Sequence, residues 1–129
     1  MPWIVLVAVF ALLQFSVFGA LVGRARGRYG VHAPATTGHE MFERYYRVQY
    51  NTLEQIVVFL PALFLSAGYG FGEDWMSAAL GAVYLIGRQM YLTSYVRDPK
   101  SRGLGFGLTV IPVAMLLFNA GVGAAYTLI

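Results

Sequence analysis

Hydrophobic residues gather into four long runs, separated by three short stretches where polar residues collect. The first run extends from about Pro2 to Gly23 and contains no charged side chain. The second covers about Asn51–Tyr69, after a polar stretch that keeps helical spacing. The third covers about Trp75–Tyr95 and the fourth about Leu104–Ile129. At about 1.5 Å per residue, roughly 20 apolar residues cross the ~30 Å of bilayer hydrocarbon. A membrane barrel would instead need many short alternating strands. The pattern predicts an all-α, integral-membrane bundle of four helices, forming a single domain over residues 1–129. Short connections, with Glu73-Asp74 at one turn and Asp98-Pro99 inside another, make successive helices antiparallel neighbours.

Composition sharpens the membrane reading. Hydrophobic residues make up 58% of the 129 residues and charged residues 12%. A soluble domain carries about 25% charged residues, so lipid is the solvent that this surface suits. Pro2 and Trp3 lead straight into the first run with no basic segment before it, so that run reads as an uncleaved anchor rather than a secretory signal. The lack of cysteine excludes disulfides, thiolate nucleophiles of the chain's own and soft-metal cysteine sites. His32 and His39 have no recognised metal spacing and read as loop polarity, so no metal site is expected.

The net charge of +3 is distributed like that of a membrane protein, not of a nucleic-acid binder. Arg24, Arg26 and Arg28 follow the first run, Arg44 and Arg47 precede the second, and Arg97, Lys100 and Arg102 follow the third. The connection between the second and third runs has only Glu73 and Asp74. Basic connections favour the cytoplasmic side, which would leave both termini opposite. Anionic headgroups account for much of this charge without any other ligand.

The turn-like segment His32–Gly38 offers Pro34 and Thr36-Thr37-Gly38 for local caps, and the next helix is expected to begin near His39 or Glu40. Pro61 and Pro112 interrupt hydrogen-bond ladders and predict packing bends. Gly19 and Gly23, then Gly103, Gly105, Gly107, Gly121 and Gly123, are small residues of the kind that let membrane helices approach closely.

Polar side chains within two of the runs form stripes. Arg47, Asn51 and Glu54 stand at i, i+4 and i+7, while Arg88, Tyr91 and Tyr95 stand at i, i+3 and i+7. Charge at membrane depth survives where it faces a bundle interior, a cavity or a partner. In an antiparallel pair, Glu54 and Arg88 are expected to meet in the interior, with Arg47 and Arg102 near the basic face. Such a pair can lock the bundle, contact a ligand, or do both. The surplus of Arg44, Arg47, Arg97, Lys100 and Arg102 over local acids favours a small carboxylate-bearing ligand entering from that face.

The run Phe42-Glu43-Arg44-Tyr45-Tyr46-Arg47-Val48-Gln49-Tyr50-Asn51-Thr52-Leu53-Glu54-Gln55 resembles the signature of the MAPEG family, the membrane-associated proteins of eicosanoid and glutathione metabolism. The run Gly87-Arg88-Gln89-Met90-Tyr91-Leu92-Thr93-Ser94-Tyr95-Val96-Arg97 is similar to that family's third-helix pattern. The resemblance covers almost the whole chain. It implies a homotrimer of four-helix subunits that binds glutathione between subunits, on the cytosolic side, and acts as a glutathione transferase or peroxidase on apolar electrophiles or lipid hydroperoxides. By motif position it implies glutathione contacts from Arg26, Arg47, Gln49, Asn51, Glu54, Arg88, Tyr91 and Tyr95, with Arg102 as the catalytic residue. Arg24 and Arg28 compete with Arg26 for the first-connection role.

Residue chemistry agrees with this. Arginines hold carboxylates through forked hydrogen bonds. Glu54 suits an amine, and Asn51 can donate to and accept from a peptide. A free thiol ionises near pH ~8.5, and a guanidinium favours its charged form. Gln55 departs from the aromatic found at this place in eicosanoid-processing members, so leukotriene or prostaglandin synthesis is not implied. A non-catalytic protein that binds lipid or glutathione is the alternative with the same fold.

Overall fold

Helix ends fall where the sequence supplies a stop or a cap. The computed structural model describes residues Met1–Ile129 and has four helices: α1 (Pro2–Tyr29), α2 (Glu40–Tyr69), α3 (Asp74–Arg97) and α4 (Gly103–Tyr126). A short 3₁₀ turn over Pro99–Ser101 joins α3 to α4. Gly30 ends α1 in the left-handed region, at φ 69°, where a residue without a Cβ is unstrained. His39 caps α2, its Nδ1 accepting from the Met41 N–H at 3.1 Å, so the cap comes from the histidine and not from Thr36 or Thr37. The His39 ring also stacks on Tyr29 at 4.3 Å. α2 and α4 run unbroken through Pro61 and Pro112.

α1 is longer than the apolar run that predicts it. It continues past Gly23 through Arg24, Arg26 and Arg28, so these arginines lie on a helix and not in a loop. α1, α2 and the segment Pro99–Tyr126 are long and apolar enough to cross a membrane. α3, at 24 residues, has the length, but Arg88, Gln89 and its serines and tyrosines lower its apolarity. Several of its polar residues are turned inward, while Gln89 and Thr93 are exposed. Arg88 is fully buried, and Ser77, Tyr84 and Tyr91 are buried.

α1 and α4 each pack against both α2 and α3. Ile4, Ala8 and Ala11 of α1 meet Phe59, Ala62 and Leu63 of α2, Tyr84 of α3, and Val113 and Leu116 of α4 in the main core. The Phe59 and Tyr84 rings are parallel there, 3.7 Å apart. Outside this core Val5, Leu6, Phe10, Leu13, Ile111, Met115 and Phe118 are exposed, an apolar surface suited to acyl chains.

Each end of the bundle is tied by polar contacts. At one end the Met1 amino group pairs with Asp74. Close by in sequence, Asn119 of α4 accepts from the Phe71 N–H at 3.0 Å and donates to Ser66 Oγ at 2.9 Å. At the other end Arg44 Nη1 donates to the carbonyls of Val96 and Arg97, at 2.9 and 3.1 Å. The first and third connections therefore share one end and both termini the other, the up-down-up-down order that the short connections predict.

Candidate functional site

The site residues are placed by a close approach of α3 and α4. A Cβ on Gly87 would lie 2.7 Å from the Leu108 carbonyl carbon, and one on Gly105 would lie 2.5 Å from the Tyr91 nitrogen. Only glycine permits these backbones to come together. The approach sets Thr109 against Arg88, whose Nη1 donates to Thr109 Oγ1 at 3.4 Å. Thr109 in turn donates to the Gly105 carbonyl at 2.9 Å.

Arg88 does not pair with Glu54. Its Nη2 donates to Asn51 Oδ1 at 2.8 Å, while Glu54 is exposed and outside the subunit's ion pairs. The expected interior ion pair is therefore replaced by an arginine–amide contact. The Tyr91 ring lies under the guanidinium, 4.3 Å from ring centre to Cζ, and attracts it through its π face. Tyr95, half-buried, continues the stripe, with its ring stacked on Tyr91 at 5.5 Å. Asn51, Arg88, Tyr91 and Tyr95 thus come together as the two stripes predict. Thr109 joins them from α4; within its apolar run, a single hydroxyl gives a sequence no reason to single it out.

Arg47 and Arg102 stand exposed at the edge of this group. Arg102 occupies the junction between the 3₁₀ turn and α4. Two neighbours fix that junction: Asp98 Oδ1 accepts from the Lys100 N–H at 3.1 Å, and Ser101 Oγ donates to the carbonyls of Ser94 and Asp98 at 3.0 and 2.8 Å. The Arg102 backbone is held while its side chain is exposed at the basic end.

The other predicted contacts lie elsewhere in the subunit. Gln49 sits against α1, where its Nε2 would be 3.4 Å from a Cβ on Gly19. Arg26 closes the first connection, donating to the Ala35 carbonyl at 2.7 Å and the Val31 carbonyl at 3.4 Å, with its guanidinium over the Phe42 ring at 4.7 Å. Gln49 and Asn51 are two residues apart on α2 and so face nearly opposite ways. Arg44 also departs from the expected surplus of free cations, because it caps the carbonyl end of α3 and pairs with Glu40. The largest apolar groove, about 530 Å³, lies between α3 and α4 toward Phe71 and Asn119 and is lined by none of the predicted site residues.

This arrangement can hold an anion-rich polar ligand at the basic end. Arg47 and Arg102 are free cations, and the Asn51 side chain has an amide N–H₂ with no partner inside the subunit.

Comparison with known proteins agrees with the motifs. Residues 4–122 match the family described as MAPEG family. An uncharacterized protein of Synechocystis sp. is 45% identical over 118 residues, covering 92% of this chain and 85% of the relative. Microsomal glutathione S-transferase 2 of Homo sapiens is 36% identical over 119 residues, covering 92% of this chain and 80% of the relative. Leukotriene C4 synthase of Cavia porcellus is 38% identical over 96 residues, covering 74% of this chain and 63% of the relative.

Proposed function

The chain belongs to the MAPEG family, and from that premise we propose that it is a membrane glutathione S-transferase acting on apolar electrophiles, and on lipid hydroperoxides, dissolved in the bilayer. The observation that carries this reading is the Asn51–Arg88–Tyr91 cluster beside the free guanidinium groups of Arg47 and Arg102, within a chain related to a microsomal glutathione S-transferase.

Glutathione, when bound, supplies the nucleophilic sulfur that a chain without cysteine lacks. The residues fit its groups. Arg47 would take a carboxylate through forked hydrogen bonds, and Arg26, whose Nη1 is held by the Val31 and Ala35 carbonyls, would take one through Nε and Nη2. Glu54, exposed and free of the Arg88 pairing, suits the amine. The free Asn51 N–H₂ suits a peptide carbonyl, and Tyr95 and Gln49 add neutral polar contacts. Arg102 would hold negative charge on sulfur, placing a cation where charge resides in the reactive state.

Because Arg26 and Gln49 lie on the α1 side of α2 while Asn51 lies toward α3, we assign the complete site to the junction of two subunits in a homotrimer. The basic end, with this site, would face the cytoplasm and both termini the opposite side. Holding a polar nucleophile at the membrane surface beside a lipid-soluble acceptor raises the rate by proximity.

Calorimetry of the folded, detergent-solubilised protein with reduced glutathione tests the binding claim. Saturable heat is expected, and its absence up to millimolar ligand overturns the reading. Conjugation of a broad electrophile, assayed beside reduction of an organic hydroperoxide, then separates a transferase from a binding protein.

A further inference from the structure

Arg88 is a buried cation without an acid. Its relative exposure is 0%, and the ion pairs in the subunit are Met1 with Asp74 and Arg44 with Glu40. An ion removed from water is costly unless its hydrogens find partners. Asn51 Oδ1 takes one through Nη2, Thr109 Oγ1 takes another through Nη1, and the Tyr91 ring covers the guanidinium face. Nε has no partner.

This geometry has a consequence for Asn51. An amide side chain has a carbonyl end and an N–H₂ end that ordinarily exchange roles by a flip. A guanidinium has no acceptor, so only the carbonyl end can face it. We propose that Arg88 is a positioning residue: it does not touch the ligand, but pins the Asn51 carbonyl inward, so that the amide presents its N–H₂ to the site as a donor only. The group recognised by the Asn51 N–H₂ is therefore an acceptor, a carbonyl or carboxylate oxygen. The ligand's identity as glutathione rests on the functional reading above; the fixed amide does not.

Arg88 lies beneath Asn51, away from water, and Asn51 is half-buried between Arg88 and the exterior. A ligand approaching from the basic end meets the amide first. Thr109 holds the far side of the guanidinium, so α4 takes part in orienting an α2 side chain that it does not bond.

The test has a ligand-free arm and a binding arm. Without ligand, Asn51→Asp gives the buried guanidinium a carboxylate, and the Tm in detergent should rise above wild type. Asn51→Leu leaves the Arg88 hydrogen unsatisfied and should lower it. If Asn51→Asp lowers the Tm as Asn51→Leu does, Arg88 does not face residue 51 and the proposal fails.

In the binding arm, Asn51→Asp should weaken glutathione binding about tenfold or more, because a donor has become an anion facing an acceptor. Retained affinity in that stabilised variant would refute the donor assignment. Arg88→Gln should weaken binding with Asn51 present and have no further effect in the Asn51→Leu background, the signature of action through one residue. Equal losses in both backgrounds would make Arg88 a direct contact and overturn the positioning role. If Arg88→Gln does not fold, Arg88→Met, which also removes the donors that fix Asn51 but leaves no buried polar group, replaces it in the same cycle. No glutathione heat from folded wild-type protein would defeat the functional reading, while the ligand-free arm still decides whether Arg88 fixes residue 51.

Discussion

At the residue scale, Arg102 differs from Arg26, Arg44 and Arg88, whose guanidinium hydrogens are engaged by carbonyls, a hydroxyl or an amide. Arg102 has a fixed backbone and a free, exposed side chain. Arg102→Ala should therefore abolish most turnover while leaving assembly intact and weakening binding less than turnover. Ultraviolet titration of bound glutathione reads this directly, through loss of the thiolate band; an unchanged thiolate signal in the Arg102→Ala protein would remove Arg102 as the activator. The two stripes were legible in the sequence because helical spacing puts Arg47, Asn51 and Glu54 near one face. Their partners were not. Three residues advance a helix by about 300°, so Glu54 is turned about 60° away from Asn51. That offset lets Asn51 reach Arg88 while Glu54 faces outward. Periodicity gives a face to within such an angle, and an ion pair needs better.

At the element scale, three apolar runs announced helices that can cross a membrane, and the start of α2 at Glu40 agrees with the expected boundary. The extension of α1 to Tyr29 was not legible, because arginines after an apolar run read equally well as a loop or as a helix leaving the membrane. Glycine spacing also needed the structure to separate roles. A Cβ on Gly105 meets the Tyr91 backbone at 2.5 Å, whereas one on Gly107 or Gly23 meets nothing within 4 Å. Gly105→Ala should consequently force α3 and α4 apart and cost about 1–3 kcal/mol, as other overpacked interiors do. Gly107→Ala should be neutral or stabilising by up to ~1 kcal/mol, since alanine is the better helix former. Thermal melts in one detergent compare them. Equal melting temperatures would mean that the α3–α4 contact contributes little. Gly105→Ala should also weaken glutathione binding, because Thr109 rides on the displaced helix and holds Arg88.

At the scale of the whole molecule, the two basic connections share one end because Arg44 ties α2 to the carbonyl end of α3. That much follows from charge and connection length. The composition of the site does not, because Arg26 and Asn51 are joined by motif position while the fold sets them on different sides of α2. A homotrimer that places the α1 side of one subunit beside the α3 side of the next would reunite them. Such an interface is heterologous, each subunit giving one patch and receiving the other, and it closes into a ring. Native mass spectrometry after gentle detergent release should then give three subunits. Subunit mixing gives the stronger test. Arg26→Ala and Asn51→Ala protein should each bind glutathione weakly when expressed alone. Co-expressed, they should recover native-like affinity at a fraction of sites, because some junctions draw Arg26 from one parent and Asn51 from the other. A site contained within one subunit leaves every site with one lesion, so mixed assemblies would show no recovery. That outcome, in trimers proven to be mixed, would confine the site to a single subunit and overturn its assignment to the junction of two subunits.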